Sequence, residues 1–161
     1  IRIPFLSAMS MLDASDGEQR SYLEIVDVLS SHGAKTSEDM KELWKRMVFN
    51  IMVSNVDDHL RNHGFILTEK GWILSPAYDL NPSTDKDGLS LNIDMDNNAL
   101  DFELAKSVGE FFRLSEEEMD AILREVLSVV KDWRSIAKRI GISRMEQSLM
   151  ERAFNYLFPI S

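Results

Sequence analysis

Between residues 37 and 54 the apolar side chains Met40, Leu43, Trp44, Met47, Val48, Ile51 and Met52 recur at i, i+3 and i+4. No strand satisfies that spacing, since successive strand residues alternate between two faces, so the segment must be a helix with one broad apolar face. Such a helix needs covering on most of its length. A chain of 161 residues has room for one core and little more, which makes this helix the expected centre of a single domain over residues 1–161. Thr36 or Ser37 is placed to cap its start.

The other segments fit around it. Ser15 and Glu18 have the spacing of a capping box, followed by Tyr22, Ile25, Val26 and Leu29 on one helical face, with His32 at the helix end and Gly33 as a stop. Phe65–Leu67 and Trp72–Leu74 flank a turn ending at Gly71, the pattern of a short hairpin. Pro76 and Pro82 forbid a regular element between them, so Tyr78 and Asp79 are expected in an ordered loop. From residue 101 the chain is expected to be helical to its end, with capping boxes at Ser115/Glu118 and Ser143/Glu146, one long run from 115 to 140, and Gly141 behind it. The total is about five helices and one hairpin, a mainly α fold. Trp44 and Trp72 are expected in the core, and Trp133, beside Lys131 and Arg134, at a helix surface.

Composition removes several function classes. The absence of cysteine excludes disulfides and thiolate metal sites, and suits a reducing compartment. A net charge of −9 disfavours nucleic acid and anionic membrane as main partners. No apolar stretch approaches the ~20 residues that span a bilayer, and the expected location is the cytoplasm. The opening at Ile1 suggests a piece of something longer. Residues 65–110 carry 3 basic against 9 acidic groups, an acidic centre that calls for a cation or a basic partner.

Within that centre, Asp57 precedes Asn62 by the D-x-x-x-x-N spacing of a phosphotransferase loop, and Asp79 follows beyond the hairpin. An acid could accept a hydroxyl proton there, while an amide and a second carboxylate offer the hard oxygens that Mg²⁺ prefers. Two other readings use the same residues. Asn55, Asp57, Asp58 and Asn62 could be turn residues whose side chains satisfy local backbone. His59 and His63, with Asp57 or Asp58, could hold a metal if the segment were helical, although no Glu follows the first histidine and Gly64 ends any helix at once.

The stretches "RIPFLSAMSMLDASDGE", "NIMVSNVDDHLRNHGFIL", "GWILSPAYDLNPS" and "WRSIAKRIGISRMEQSLMERAF" resemble the C-terminal portion of HipA-like serine/threonine kinases, the toxin components of bacterial toxin–antitoxin modules. The resemblance runs through nearly the whole chain and centres on N-x-D-D-H-x-x-N-H and S-P-x-Y-D. It implies a kinase large-lobe-like helical domain in which Asp57 is the catalytic base and Asn62 and Asp79 are Mg²⁺ ligands. Tyr78, with Asn62 and Asp79, would lie against the nucleotide, and Asn55, Asp58 and His59 would support the loop. It further implies ATP and Mg²⁺ as cofactors, a protein serine or threonine as acceptor, and a small DNA-binding (HipB-like) antitoxin as partner. These residues contain no glycine-rich phosphate loop and no strand-borne lysine ahead of Asp57, so an N-terminal small lobe is expected to be missing from them, and the piece to be inactive alone. The competing expectation is a docking module without turnover, its surface formed by residues 111–161, where six basic residues from Lys131 to Arg152 face three acidic ones.

Overall fold

The computed structural model describes residues 2–155. β1 (Phe5–Ser7) and α1 (Ala8–Met11) lead into α2 (Tyr22–His32) and the long α3 (Thr36–Val53). A 3-10 turn at Leu60–Asn62 precedes β2 (Gly64–Thr68) and β3 (Gly71–Leu74), and an irregular stretch follows to residue 101. The remainder is α4 (Phe102–Ser107), a 3-10 turn at Gly109–Phe112, α5 (Glu116–Val130), α6 (Trp133–Arg139), α7 (Arg144–Met150) and a last 3-10 turn at Glu151–Ala153. The mainly α architecture is as the periodicity requires. The helix expected for residues 156–158 lies outside the described residues.

α3 is the centre, and every residue of its predicted apolar stripe is buried. It packs against α2, α4 and α5 and against β3. Trp44, fully enclosed, donates its indole N–H to the Ala105 carbonyl of α4 at 2.9 Å, so the largest core side chain has its one polar atom satisfied. Asp39 on the same helix accepts from the Leu74 amide at 2.9 Å and thereby fastens β3 to α3.

Both expected caps in the first half move. The capping box of α2 is Ser21 with Glu24, not Ser15 with Glu18. Residues 15–18 instead form a turn with Gly17 at φ +85°, while the Tyr22 amide bonds the Asn92 carbonyl and the Ser21 hydroxyl the Asp94 carbonyl, so the later irregular stretch sets where α2 begins. Nor does Thr36 or Ser37 cap α3, whose N-cap is Lys35 with no side-chain bond. The connection between the helices is so short that the Thr36 hydroxyl turns back to the Leu29 and Gly33 carbonyls, satisfying the end of α2 instead.

The hairpin forms as expected but is part of a three-stranded antiparallel sheet in the order β1-β2-β3. β1 pairs Phe5 with Ile66 and Ser7 with Gly64, a partnership across some sixty residues that no local pattern announces. The run expected from 115 to 140 breaks at Lys131 and Asp132 into α5 and α6. The break lets Trp133 stack on Phe154 at 4.2 Å between ring centroids, with the Arg134 guanidinium 4.8 Å above the indole. The Ser115/Glu118 and Ser143/Glu146 capping boxes are both present.

Gly33 ends α2 for lack of a side chain rather than by a left-handed backbone, since its φ is −73° and a Cβ there would lie 2.3 Å from the Leu29 carbonyl oxygen. That oxygen belongs to the helix and has nowhere to go. Gly33→Ala is therefore expected to destabilise the fold by about 1–3 kcal/mol, read as a lower urea midpoint at unchanged m-value.

Candidate active site

The site is built where α3 ends. Ser54, fully buried, takes a left-handed backbone at φ 53° and turns the chain out of the helix. A chain of buried polar groups then fixes the loop. The Asn55 amide side chain donates to Asn50 Oδ1 at 2.9 Å, Asn50 Nδ2 donates to the Tyr22 hydroxyl at 3.1 Å, and that hydroxyl donates to Asp58 Oδ2 at 2.5 Å. His63 Nε2 meets the same Asp58 oxygen at 2.7 Å. All five residues are buried, which makes a carboxylate in this position tolerable only because its neighbours answer it.

Asp57, next in sequence to Asp58, is exposed and makes no side-chain hydrogen bond or ion pair among the described residues. The two aspartates of the N-x-D-D-H motif thus divide: one is locked inside as a support, and the other is held out with its oxygens free. Asn62, buried at the end of the 3-10 turn, donates from Nδ2 to Asp79 Oδ2 at 2.9 Å. Asp79 lies in the left-handed region at φ 57°, and its other oxygen accepts from Asn81 at 2.6 Å. Sequence separation between Asn62 and Asp79 is therefore closed by the hairpin. Tyr78 donates its hydroxyl to the Arg61 carbonyl at 2.7 Å, pinning the 79 segment to the 3-10 turn. Burial, above all, holds its phenol above the ordinary tyrosine value. Arg61 in turn forks onto both oxygens of Asp16, at 2.8 and 2.7 Å.

Of the loop supports expected from sequence, Asn55 and Asp58 are in the buried network and His59 is not. His59 is only partly buried, and its Nδ1 is enclosed without a partner. The histidine that joins the network is His63. Tyr22 and Asn50 were missed as well, because each falls on an apolar helical face and was absorbed into it; Asn50, three positions after Met47 on the stripe of α3, was the available signal. The arrangement with both histidines on one helical face does not form. Only Leu60–Asn62 is helical between them, His63 is spent on Asp58, and no group of three or more His, Cys, Asp or Glu placed to hold a metal occurs among the described residues.

The residues that would hold a cation here are Asp79 and Asn62, the latter through its Oδ1 in place of the Nδ2 that now donates to Asp79. Asp79 has no basic partner among the described residues, its contacts are amide N–H groups, and the available ligands are hard oxygens of the kind Mg²⁺ takes. Two side chains fill only part of an octahedral shell, so the rest would come from water or phosphate.

A helical domain with a small antiparallel sheet, presenting a free carboxylate and an amide–carboxylate pair from one loop and the segment after a hairpin, is the class defined by these features. The family model of the HipA-like C-terminal domain matches residues 1–133, and the chain belongs to that family. Among solved structures it is similar to HipA of the toxin–antitoxin system of Shewanella oneidensis MR-1, determined in complex with HipB and its operator DNA. The TM-score is 0.74 at 17% identity, over 95% of this chain and 42% of that one. The chain thus spans less than half the length of that relative, and the likeness is one of fold. No curated protein sequence gives a match. No helix among the described residues is long and apolar enough to cross a membrane.

Burial, then the Asp58 charge and its hydrogen bond, push the Tyr22 phenol well above 10.0. An acid whose folded pKa is raised keeps its proton in the fold while the unfolded chain loses it, so stability falls as pH rises above about 10. Between pH 9.5 and 11.5 the urea midpoint of the parent should accordingly drop more steeply than that of Tyr22→Phe. Equal slopes would show that the phenol is not held protonated.

Proposed function

We propose that this domain is the base-and-metal half of a serine/threonine protein kinase that transfers the γ-phosphoryl group of ATP to a protein hydroxyl. The observation that carries the reading is that the loop presenting the exposed, unpartnered Asp57 also carries Asn62, which meets Asp79 at 2.9 Å, while its other acid is buried. Asp57 accepts the proton of the acceptor hydroxyl as its oxygen attacks. Asn62 and Asp79 hold Mg²⁺, which when bound supplies charge neutralisation at the phosphate oxygens. Tyr78, through the Arg61 carbonyl, keeps the Asp79 segment against the loop on the nucleotide side. Membership of the HipA-like family supports the assignment and suggests a small DNA-binding antitoxin as partner in the cytoplasm.

The reading needs a phosphate cradle and a lysine on the α- and β-phosphates, neither of which lies in these 161 residues. Both are assigned to other parts of a longer protein, in keeping with the 42% of the Shewanella HipA chain that this one covers.

In the full-length protein, Asp57→Asn should lower ATP-dependent phosphate transfer to a serine-bearing protein by about 10²–10⁴-fold, because the amide keeps the shape but takes no proton. Asp79→Ala should do likewise by removing a cation ligand. Transfer by Asp57→Asn at the parent rate would eliminate Asp57 as the base. Residues 1–161 alone should transfer no phosphate, since positioning of the γ-phosphate carries much of the catalysis.

Mg²⁺ titrated into this domain without nucleotide should bind more weakly than about micromolar, two side chains being too few to close the shell. Calorimetry giving submicromolar affinity would mean that the protein alone completes the site.

A further inference from the structure

The end of α3 that feeds the loop is closed by residues from far along the chain. A helix leaves its last four carbonyls without partners of its own. Here the Asn50 carbonyl accepts from the Asn55 amide at 2.8 Å and the Ile51 carbonyl from the Ser54 amide at 3.3 Å, both local bonds, but Ile51, Met52 and Val53 are also reached from a distance. The Ile51 carbonyl accepts from the Asn155 side chain at 2.6 Å, that of Met52 from the Asn155 main-chain amide at 2.7 Å, and that of Val53 from the Ser83 amide at 3.4 Å. Ser54, which follows, donates its hydroxyl to the Ala153 carbonyl at 2.6 Å.

One side chain joins all three segments. Lys86 Nζ donates to Ser54 Oγ at 2.7 Å, to Asn155 Oδ1 at 2.7 Å and to the Ala153 carbonyl at 3.3 Å. Three acceptors match the three donors of an ammonium, and none is a carboxylate, so the geometry is that of a cross-link rather than of an ion pair. Arg152 adds a bond to the Thr84 carbonyl at 2.9 Å. Lys86 lies in the stretch after Asp79, and Ser54 lies in the turn before Asp57; the lysine therefore spans the roots of both halves of the site. Residues 151–155 fall beyond the region that the family model matches, and that match gives them no role.

We propose that Lys86 is a positioning residue: with Asn155 it latches residues 151–155 onto the end of α3, and so fixes the loop bearing Asp57 relative to the segment bearing Asp79. The effect on phosphate transfer rests on the kinase reading above, whereas the latch itself does not.

The test uses the full-length protein as parent, Lys86→Met, which keeps the aliphatic stem, and Lys86→Arg, which keeps a cationic donor. Amide hydrogen exchange should rise about tenfold over residues 53–58 in Lys86→Met, with α5 and the sheet unchanged. The kcat for phosphate transfer should fall about tenfold at an unchanged KM for ATP, and Lys86→Arg should recover most of both. Exchange over 53–58 equal to the parent, or raised equally throughout the domain, overturns the latch. A parent that transfers no phosphate, combined with locally raised exchange in Lys86→Met, supports the latch and removes the kinase reading. Normal parental transfer with local exchange raised but kcat unchanged in the variant overturns the positioning role.

Discussion

Burial of the Asp58 carboxylate is the constraint around which the rest is arranged. A carboxylate held out of water costs several kcal/mol unless hydrogen bonds replace its hydration. The replacements come from three elements, Tyr22 at the start of α2, His63 at the edge of β2 and, through Tyr22, Asn50 near the end of α3. None of these partners can be placed without placing its helix or strand. Satisfying one acid therefore sets the start of α2, the end of α3 and the entry to the hairpin together, and it leaves Asp57 facing the other way.

The parts of the fold legible in sequence were those with local causes. The stripe from Met40 to Met52 dictates α3 by period alone, and Ser115/Glu118 and Ser143/Glu146 mark helix starts because a capping box is completed within four residues. Ser15/Glu18 has the same spacing and marks nothing, since the choice between it and Ser21/Glu24 was made by Asn92 and Asp94, some seventy residues away. β1 escaped for the same reason: its partner is β2, and three residues cannot show a strand period by themselves.

The candidate site divides in a similar way. Asp57, Asn62 and Asp79 stood out because their residue types and spacing are unusual for any single element, and the structure brings the last two into contact. Their supports were hidden in plain patterns. Tyr22 looked like one more apolar residue on α2, and Asn50 like an interruption on α3, because sequence shows neither the depth of a position nor which polar atoms it meets there. His59 and His63 were indistinguishable as letters, and only the tight turn between them decides that the second reaches Asp58.

The left-handed backbone of Asp79 sets apart two demands that usually coincide. For most side chains such a conformation costs roughly 1–2 kcal/mol, whereas glycine adopts it readily and asparagine and aspartate are among the side chains that tolerate it. Asparagine would fit the same backbone as the aspartate found there, so the chain path alone does not call for the charge. Exchange of one oxygen for an amide nitrogen would leave the chain path undisturbed and take away the charge. At this position, then, the path of the chain and the charge it carries can be separated.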